Sequence, residues 1–258
     1  MKPAIIFLFL IFSTACTAQS QKVSENPASE IRNPKSKSPV LIELFTSEGC
    51  SSCPPADRVL ALLEKEQPYE QAEIITLALH VDYWNYLGWK DEFSSALFSQ
   101  RQELYAQKFK LDSTYTPQMV VDGEKEFNGS DSGKALKAVM EAVKNQKTNI
   151  EISRDGEKLK IKIAELPARE DATVYLAIAE DNLASDVKRG ENSGQKLEHV
   201  SVARELKSIG VIDAKAKMFE AETNLSIQPN WKTENLKIIV FVQENASRKI
   251  RAVNRIKY

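Results

Sequence analysis

The chain is poor in the residues that most often announce chemistry. Its 258 residues include three cysteines and two histidines, with 9 glycines and 10 prolines. Three cysteines are too few for a disulfide scaffold, so the fold must rest on its apolar core. Two histidines far apart in sequence, His80 and His199, give no close His pair of the kind zinc sites use. The 35 basic and 36 acidic side chains leave a formal net charge of −1. No cationic excess exists to neutralise phosphates, so the charge gives no support for nucleic-acid binding. Sparse glycine and proline, with 42% hydrophobic and 28% charged residues, describe a globular chain able to bury a sizeable core.

What is present begins at the N-terminus. Lys2 is followed by an apolar run from Ala4 to Phe12 and by the small residues Ser13, Thr14 and Ala15. Residues 1–15 therefore read as a signal peptide; the run is too short to span a bilayer as a stable helix. Ser-Thr-Ala-Cys16 resembles the bacterial lipoprotein box, with Ser13 in place of the usual leucine. The resemblance implies acylation of Cys16 and attachment to a membrane through that lipid alone. Residues 16–38, polar and carrying Pro27 and Pro34, read as the tether. The expected location is the periplasmic side of the cell envelope, or the exterior if Cys16 stays unmodified.

From Val40 to Phe45 the chain is almost continuously apolar, as in a strand covered on both faces. A loop leads to Cys50-Ser51-Ser52-Cys53, then to a helix with Val59, Leu62 and Leu63 on one side. A strand over 74–79, a helix over 93–109, a proline at 117, a hairpin around Asp122-Gly123 and a helix near 136–143 follow. This order predicts an α/β thioredoxin-like domain over 39–146, with the cysteine pair at a strand-to-helix junction. Beyond Lys147, about seven short strands separated by polar turns predict a second, small all-β sandwich-like domain over 147–258.

Two cysteines three apart at a helix start suit disulfide exchange. The thiolate is the attacking species, and the positive end of a helix favours it at Cys50. Cys53, one turn on, is placed to resolve a mixed disulfide. Glu43, a carboxyl in an apolar strand, is the candidate proton-handling group; the alternative is a half-exposed strand residue. Pro117 is a candidate cis-proline, with Thr116 offering its backbone to a substrate. The expected partners are a protein or small thiol or disulfide substrate and a redox partner, with no cofactor.

The same residues admit other readings. Cys50, Cys53, His80 and His199 would make four zinc ligands, but without the close ligand pairs of structural sites. An inert Cys50–Cys53 crosslink closes a very short loop and restrains the unfolded chain little. His80 and Asp82 suit hydrogen-bonded structural roles, and Trp84, Tyr86 and Trp89 suit loop anchors. A binding or assembly module without turnover is the competing function.

The stretch Glu43 to Asp57 (ELFTSEGCSSCPPAD) resembles the motif of a bacterial secreted family catalogued as a domain of unknown function with a thioredoxin-like fold. His80-Val81-Asp82-Tyr83-Trp84, Leu87-Gly88-Trp89, Tyr115-Thr116-Pro117-Gln118 and Arg189-Gly190-Glu191-Asn192 are similar to its other blocks. The resemblance implies export, that fold and the cysteine pair, and supplies no substrate.

Overall fold

A computed structural model describes residue 1 and residues 37–164 and 170–258. The leader, Cys16 and the tether up to residue 36 lie outside the described residues. The fold described here falls within one unit, Lys35–Tyr258. Among the described residues no helix is long and apolar enough to cross a membrane.

Strand β1 (Ser38–Thr46) enters the sheet first, and helix α1 (Pro54–Glu66) follows it. Then come β2 (Ala72–His80), α2 (Ala96–Phe109), β3 (Gln118–Val121), β4 (Lys125–Asn128) and α3 (Ser132–Ala142). The remainder is β: β5 (Ile150–Asp155), β6 (Lys158–Ala164), β7 (Ala172–Glu180), β8 (Leu183–Asp186) and β9 (Lys196–His199). The last four strands are β10 (Val202–Ile212), β11 (Met218–Asn224), β12 (Leu236–Glu244) and β13 (Ile250–Lys257).

These elements do not form a thioredoxin-like α/β domain followed by a separate sandwich. One mixed sheet of eight strands, in the order β13-β12-β7-β10-β2-β1-β3-β4, takes strands from both halves of the chain. The architecture is mostly β. The joint is the parallel contact of β10 with β2, at Val202 against Ala78. Ala78 donates its amide to the Ser201 carbonyl at 2.8 Å. Ser201, at φ 52°, turns the chain into β10, and its hydroxyl bonds to Thr76 and to the Lys237 ammonium, both at 2.7 Å.

Burial on both faces explains the apolar runs. Val40, Ile42 and Leu44 of β1 pack under α1 and α3, while Leu41 and Phe45 pack with Phe98 and Tyr105 of α2. The three-stranded sheet β11-β6-β5 supplies Ile150, Leu159, Ile161 and Ile163 to a third cluster against β7 and β12. Strand β12 is therefore buried along all nine residues, as a strand covered on both sides must be. The turn after β3 touches the far end of the chain: Gly123 sits at φ +65°, where an added Cβ would lie 1.9 Å from the Arg248 carbonyl oxygen.

Candidate functional site: the Cys50–Cys53 disulfide and its surround

Strand β1 ends at Thr46, and the chain folds over residues 47–49 into the cysteine loop. Cys50 donates its amide to the Ser47 carbonyl and Cys53 donates to Cys50, both at 3.2 Å. Cys53 stands just before α1, whose first two residues are Pro54 and Pro55. Prolines are tolerated there because the first helical amides have no intrahelical acceptor. They also remove two of the free N–H groups that a helix start usually presents.

Cys50 and Cys53 form a disulfide with a Cα–Cα separation of 5.4 Å. Both cysteines are fully buried. The Thr116 hydroxyl donates to Cys50 Sγ at 3.3 Å, and Trp84 Nε1 donates to that hydroxyl at 2.9 Å. With its lone pair engaged by the indole, the threonine proton is aimed at sulfur. The Ser52 hydroxyl lies 3.3 Å from the same sulfur. The Thr116–Pro117 peptide bond is cis. The structure thus brings Cys50, Cys53 and Thr116 into contact, with Pro117 next in the chain.

Glu43 is not part of this group. It shares a face of β1 with Leu41 and Phe45, the side covered by α2, whereas α1 lies on the other face. Its carboxylate takes Arg101 Nε and Nη2, the latter at 3.1 Å, and the Tyr105 hydroxyl. Burial, with the carboxylate beside it, holds the Tyr105 hydroxyl well above its usual pKa. Arg101 also lies over the rings of Tyr175 and Phe241 at 5.1 and 5.2 Å. The physical reason is pairing: on the face away from α1 the Glu43 carboxyl is taken up by a guanidinium and a phenol, and no hydrogen bond links it to the cysteines.

The titratable groups nearest the cysteine loop are others. The Thr46 hydroxyl donates to Asp57, one turn beyond Cys53 on α1, at 2.9 Å. Burial raises the Asp57 pKa against the pull of His199 and His80. His80, paired beside Thr46 in the β1–β2 ladder, bonds through Nδ1 to Asp91 Oδ2 at 2.7 Å. Burial alone would lower the His80 pKa; Asp91 outweighs it and the pKa rises. Burial opposes the Asp91 carboxylate, His80 outweighs it, and that pKa falls. His80 Nε2 is buried without a hydrogen-bond partner. The ring of His199 stands edge-on to His80, centroids 4.9 Å apart, and its Nε2 lies 3.2 Å from Glu48 Oε1. Glu48 also accepts from Trp89 Nε1 at 2.7 Å. Among the described residues no group of three or more His, Cys, Asp or Glu is arranged to hold a metal ion.

Two further residues that composition and spacing did not single out as site residues, Glu191 and Asn192, come from the C-terminal half. Strands β8 and β9 form a hairpin whose tip rests on the cysteine loop. Asn192 Nδ2 donates to the carbonyls of Glu48 and Cys50, at 2.8 and 3.0 Å. Glu191 Oε2 accepts from the Ser51 amide at 3.0 Å and from its hydroxyl at 2.7 Å. Gly190, at φ +78°, lets the tip approach Trp89; an added Cβ would meet the Trp89 Cβ at 3.2 Å. The one sequence signal for this tip was the Arg189-Gly190-Glu191-Asn192 block.

A family model described as "Protein of unknown function (DUF1223)" matches residues 41–243. No curated protein matches the chain. Among solved structures, protein AGR_C_4864 from Agrobacterium tumefaciens is similar at 26% identity and a TM-score of 0.69, over 86% of this chain and 94% of that one. Superoxide reductase from Nanoarchaeum equitans aligns over 44% of this chain and 92% of its own, at 14% identity and a TM-score of 0.22, a likeness too slight to bear on fold or chemistry.

Proposed function

We propose that this chain, which belongs to the DUF1223 family of proteins of unknown function, is a thiol–disulfide oxidoreductase acting through Cys50 and Cys53. The observation that carries the reading is the placement of Cys50 Sγ between two hydroxyls, those of Thr116 and Ser52, in a disulfide at the start of α1. Those donors suit a sulfur that becomes a thiolate when the bond opens. Stability explains the crosslink poorly. A loop closed over a separation of three residues restrains the unfolded chain by only about 2 kcal/mol on chain-entropy grounds.

Reduction of the pair proceeds in two exchanges. A partner thiolate attacks Cys50 Sγ, the Cys50–Cys53 bond breaks, and Cys53 leaves with the electron pair and takes up a proton. A second partner thiolate then attacks the partner sulfur of the mixed disulfide. It frees Cys50 as a thiolate and leaves the partner disulfide; two electrons have passed to the protein. The reverse sequence oxidises a dithiol. The substrate is a protein or small thiol or disulfide, with Thr116 beside the sulfur it must reach and Pro117 next in the chain. The leader and Cys16 support work in the cell envelope, on a lipid tether.

One observation favours a second reading. Both cysteines are fully covered, as in a binding module whose disulfide is inert. A Cys53→Ser variant separates the two. The oxidoreductase accumulates mixed disulfides through Cys50 that reducing agent releases; their absence, with a wild-type pair that glutathione cannot reduce, leaves the binding module.

A further inference from the structure

The hairpin tip sets a carboxylate against the cysteine loop. Glu191 is exposed, yet its Oε2 holds both the amide and the hydroxyl of Ser51, the residue after Cys50. Those hydrogen bonds keep its pKa below the usual glutamate range. Lys188 and Arg189 are exposed on the same hairpin, but it is Glu191 that bonds to the loop.

Two consequences follow from that position. The Ser51 amide is the donor next to Cys50 in the chain, and with Pro54 and Pro55 ahead few other amides are free. A carboxylate already on it takes a group that would help a thiolate. The carboxylate is also a negative charge hydrogen-bonded to the residue after Cys50, whose sulfur an incoming thiolate must approach and which becomes anionic when the bond opens.

Resting on the oxidoreductase reading above, we propose that Glu191 is a positioning and specificity-determining residue for that reaction. It holds the Cys50 loop in its oxidised conformation, disfavours the Cys50 thiolate and selects against anionic thiols as partners. Neutral and cationic thiols, such as a cysteine within a basic protein segment, are the class it admits. Asn192 does not share this role; its amide is neutral and bonds only to carbonyls.

The test uses the full chain with Glu191→Gln and Glu191→Asp. Glu191 is exposed, so neither change disturbs the core. Three readouts are needed: the Cys50 pKa from thiolate absorbance, the equilibrium constant of the pair with glutathione, and reduction rates with mercaptoethanesulfonate and cysteamine. In E191Q the Cys50 pKa falls and the equilibrium constant moves roughly three- to tenfold toward the dithiol, the size expected for one screened surface charge. Reduction by the anionic thiol accelerates more than reduction by the cationic one, and the gap narrows at high salt. E191D restores wild-type values in part. A merely structural contact changes stability and leaves the charge selectivity alone. If E191Q keeps the wild-type pKa, equilibrium constant and rate ratio while the pair titrates reversibly, the Glu191 proposal fails alone. A wild-type pair that glutathione cannot reduce overturns the oxidoreductase reading and this one with it.

Discussion

Asn192 donates its side-chain amide to the carbonyl of Cys50, 142 residues earlier in the chain, at 3.0 Å. The same nitrogen reaches the Glu48 carbonyl at 2.8 Å. One buried side chain thus pins the loop before the first cysteine from two points.

Removing that amide strips both carbonyls of their side-chain donor. Asn192→Ala should lower stability by roughly 1–3 kcal/mol, the cost of buried polar groups left unpaired. It should also speed reduction of the disulfide by dithiothreitol, because the loop gains freedom to open. Urea unfolding and a reduction time course measure the two effects; unchanged reduction kinetics would show that the clamp does not govern access.

Thr116→Val keeps the shape and deletes the proton aimed at Cys50 Sγ. Hydrogen bonds to charged groups contribute about 1.5–3 kcal/mol. The Cys50 pKa should therefore rise, and the equilibrium with glutathione should shift roughly tenfold or more toward the disulfide. Thiolate absorbance and a redox titration read both. A Cys50 pKa equal to wild type would remove Thr116 from the chemistry.

Arg101→Met should cost about 3–5 kcal/mol, since it leaves the buried Glu43 carboxylate without its cation. The double change Glu43→Gln with Arg101→Met should cost less than the two singles combined. Neither should move the Cys50–Cys53 equilibrium, because Glu43 faces α2 and not α1. A double-mutant cycle in urea with a redox titration of each variant checks this. A potential that follows Glu43→Gln would return Glu43 to the site.

The His80–Asp91 pair gives a pH window. The raised His80 pKa stabilises the fold fully below the unfolded histidine value of about 6.5, and that contribution is lost as pH rises through the folded value. The lowered Asp91 pKa acts from the other side. Its contribution is present above the unfolded value of about 3.9 and is lost as pH falls through the folded one. The urea midpoint should fall at both ends, and His80→Gln should flatten the alkaline fall. A slope above neutrality that His80→Gln leaves intact would assign it to another group.

How much of this was legible depends on range. Cys50 and Cys53 were found because their meaning lies in a spacing of three residues and a helix start beside them. Strand Lys158–Ala164 alternates along its length, and Ile150–Asp155 over its first four residues, so both declare themselves. The helix faces were read less well: Leu62 was placed inward, but it is 58% exposed and Leu60 and Ala56 are buried instead. A run of Leu60, Leu62 and Leu63 around one helix does not say which leucine meets the sheet. The apolar-polar pattern across residues 198–206 shows no break, yet Ser201 at φ 52° divides them into β9 and β10. That break makes the joint to β2, and pairing between residues more than a hundred apart leaves no periodicity to detect. The two-domain expectation failed for the same reason. The hairpin tip is marked in the sequence only by its Arg189–Asn192 block, and its contact with the cysteine loop is not legible because β8 and β9 are four residues each and their role lies in what they touch.

The clamp also has a history in each new molecule. A ribosome delivers Cys50 and Cys53 well before Glu191 and Asn192 exist. At about 5–20 residues per second the interval is on the order of seven to thirty seconds. Through that time the cysteine loop has no hairpin above it. A chain still being made therefore carries the cysteine pair uncovered, whereas any reagent that meets the folded protein finds the loop under Glu191 and Asn192.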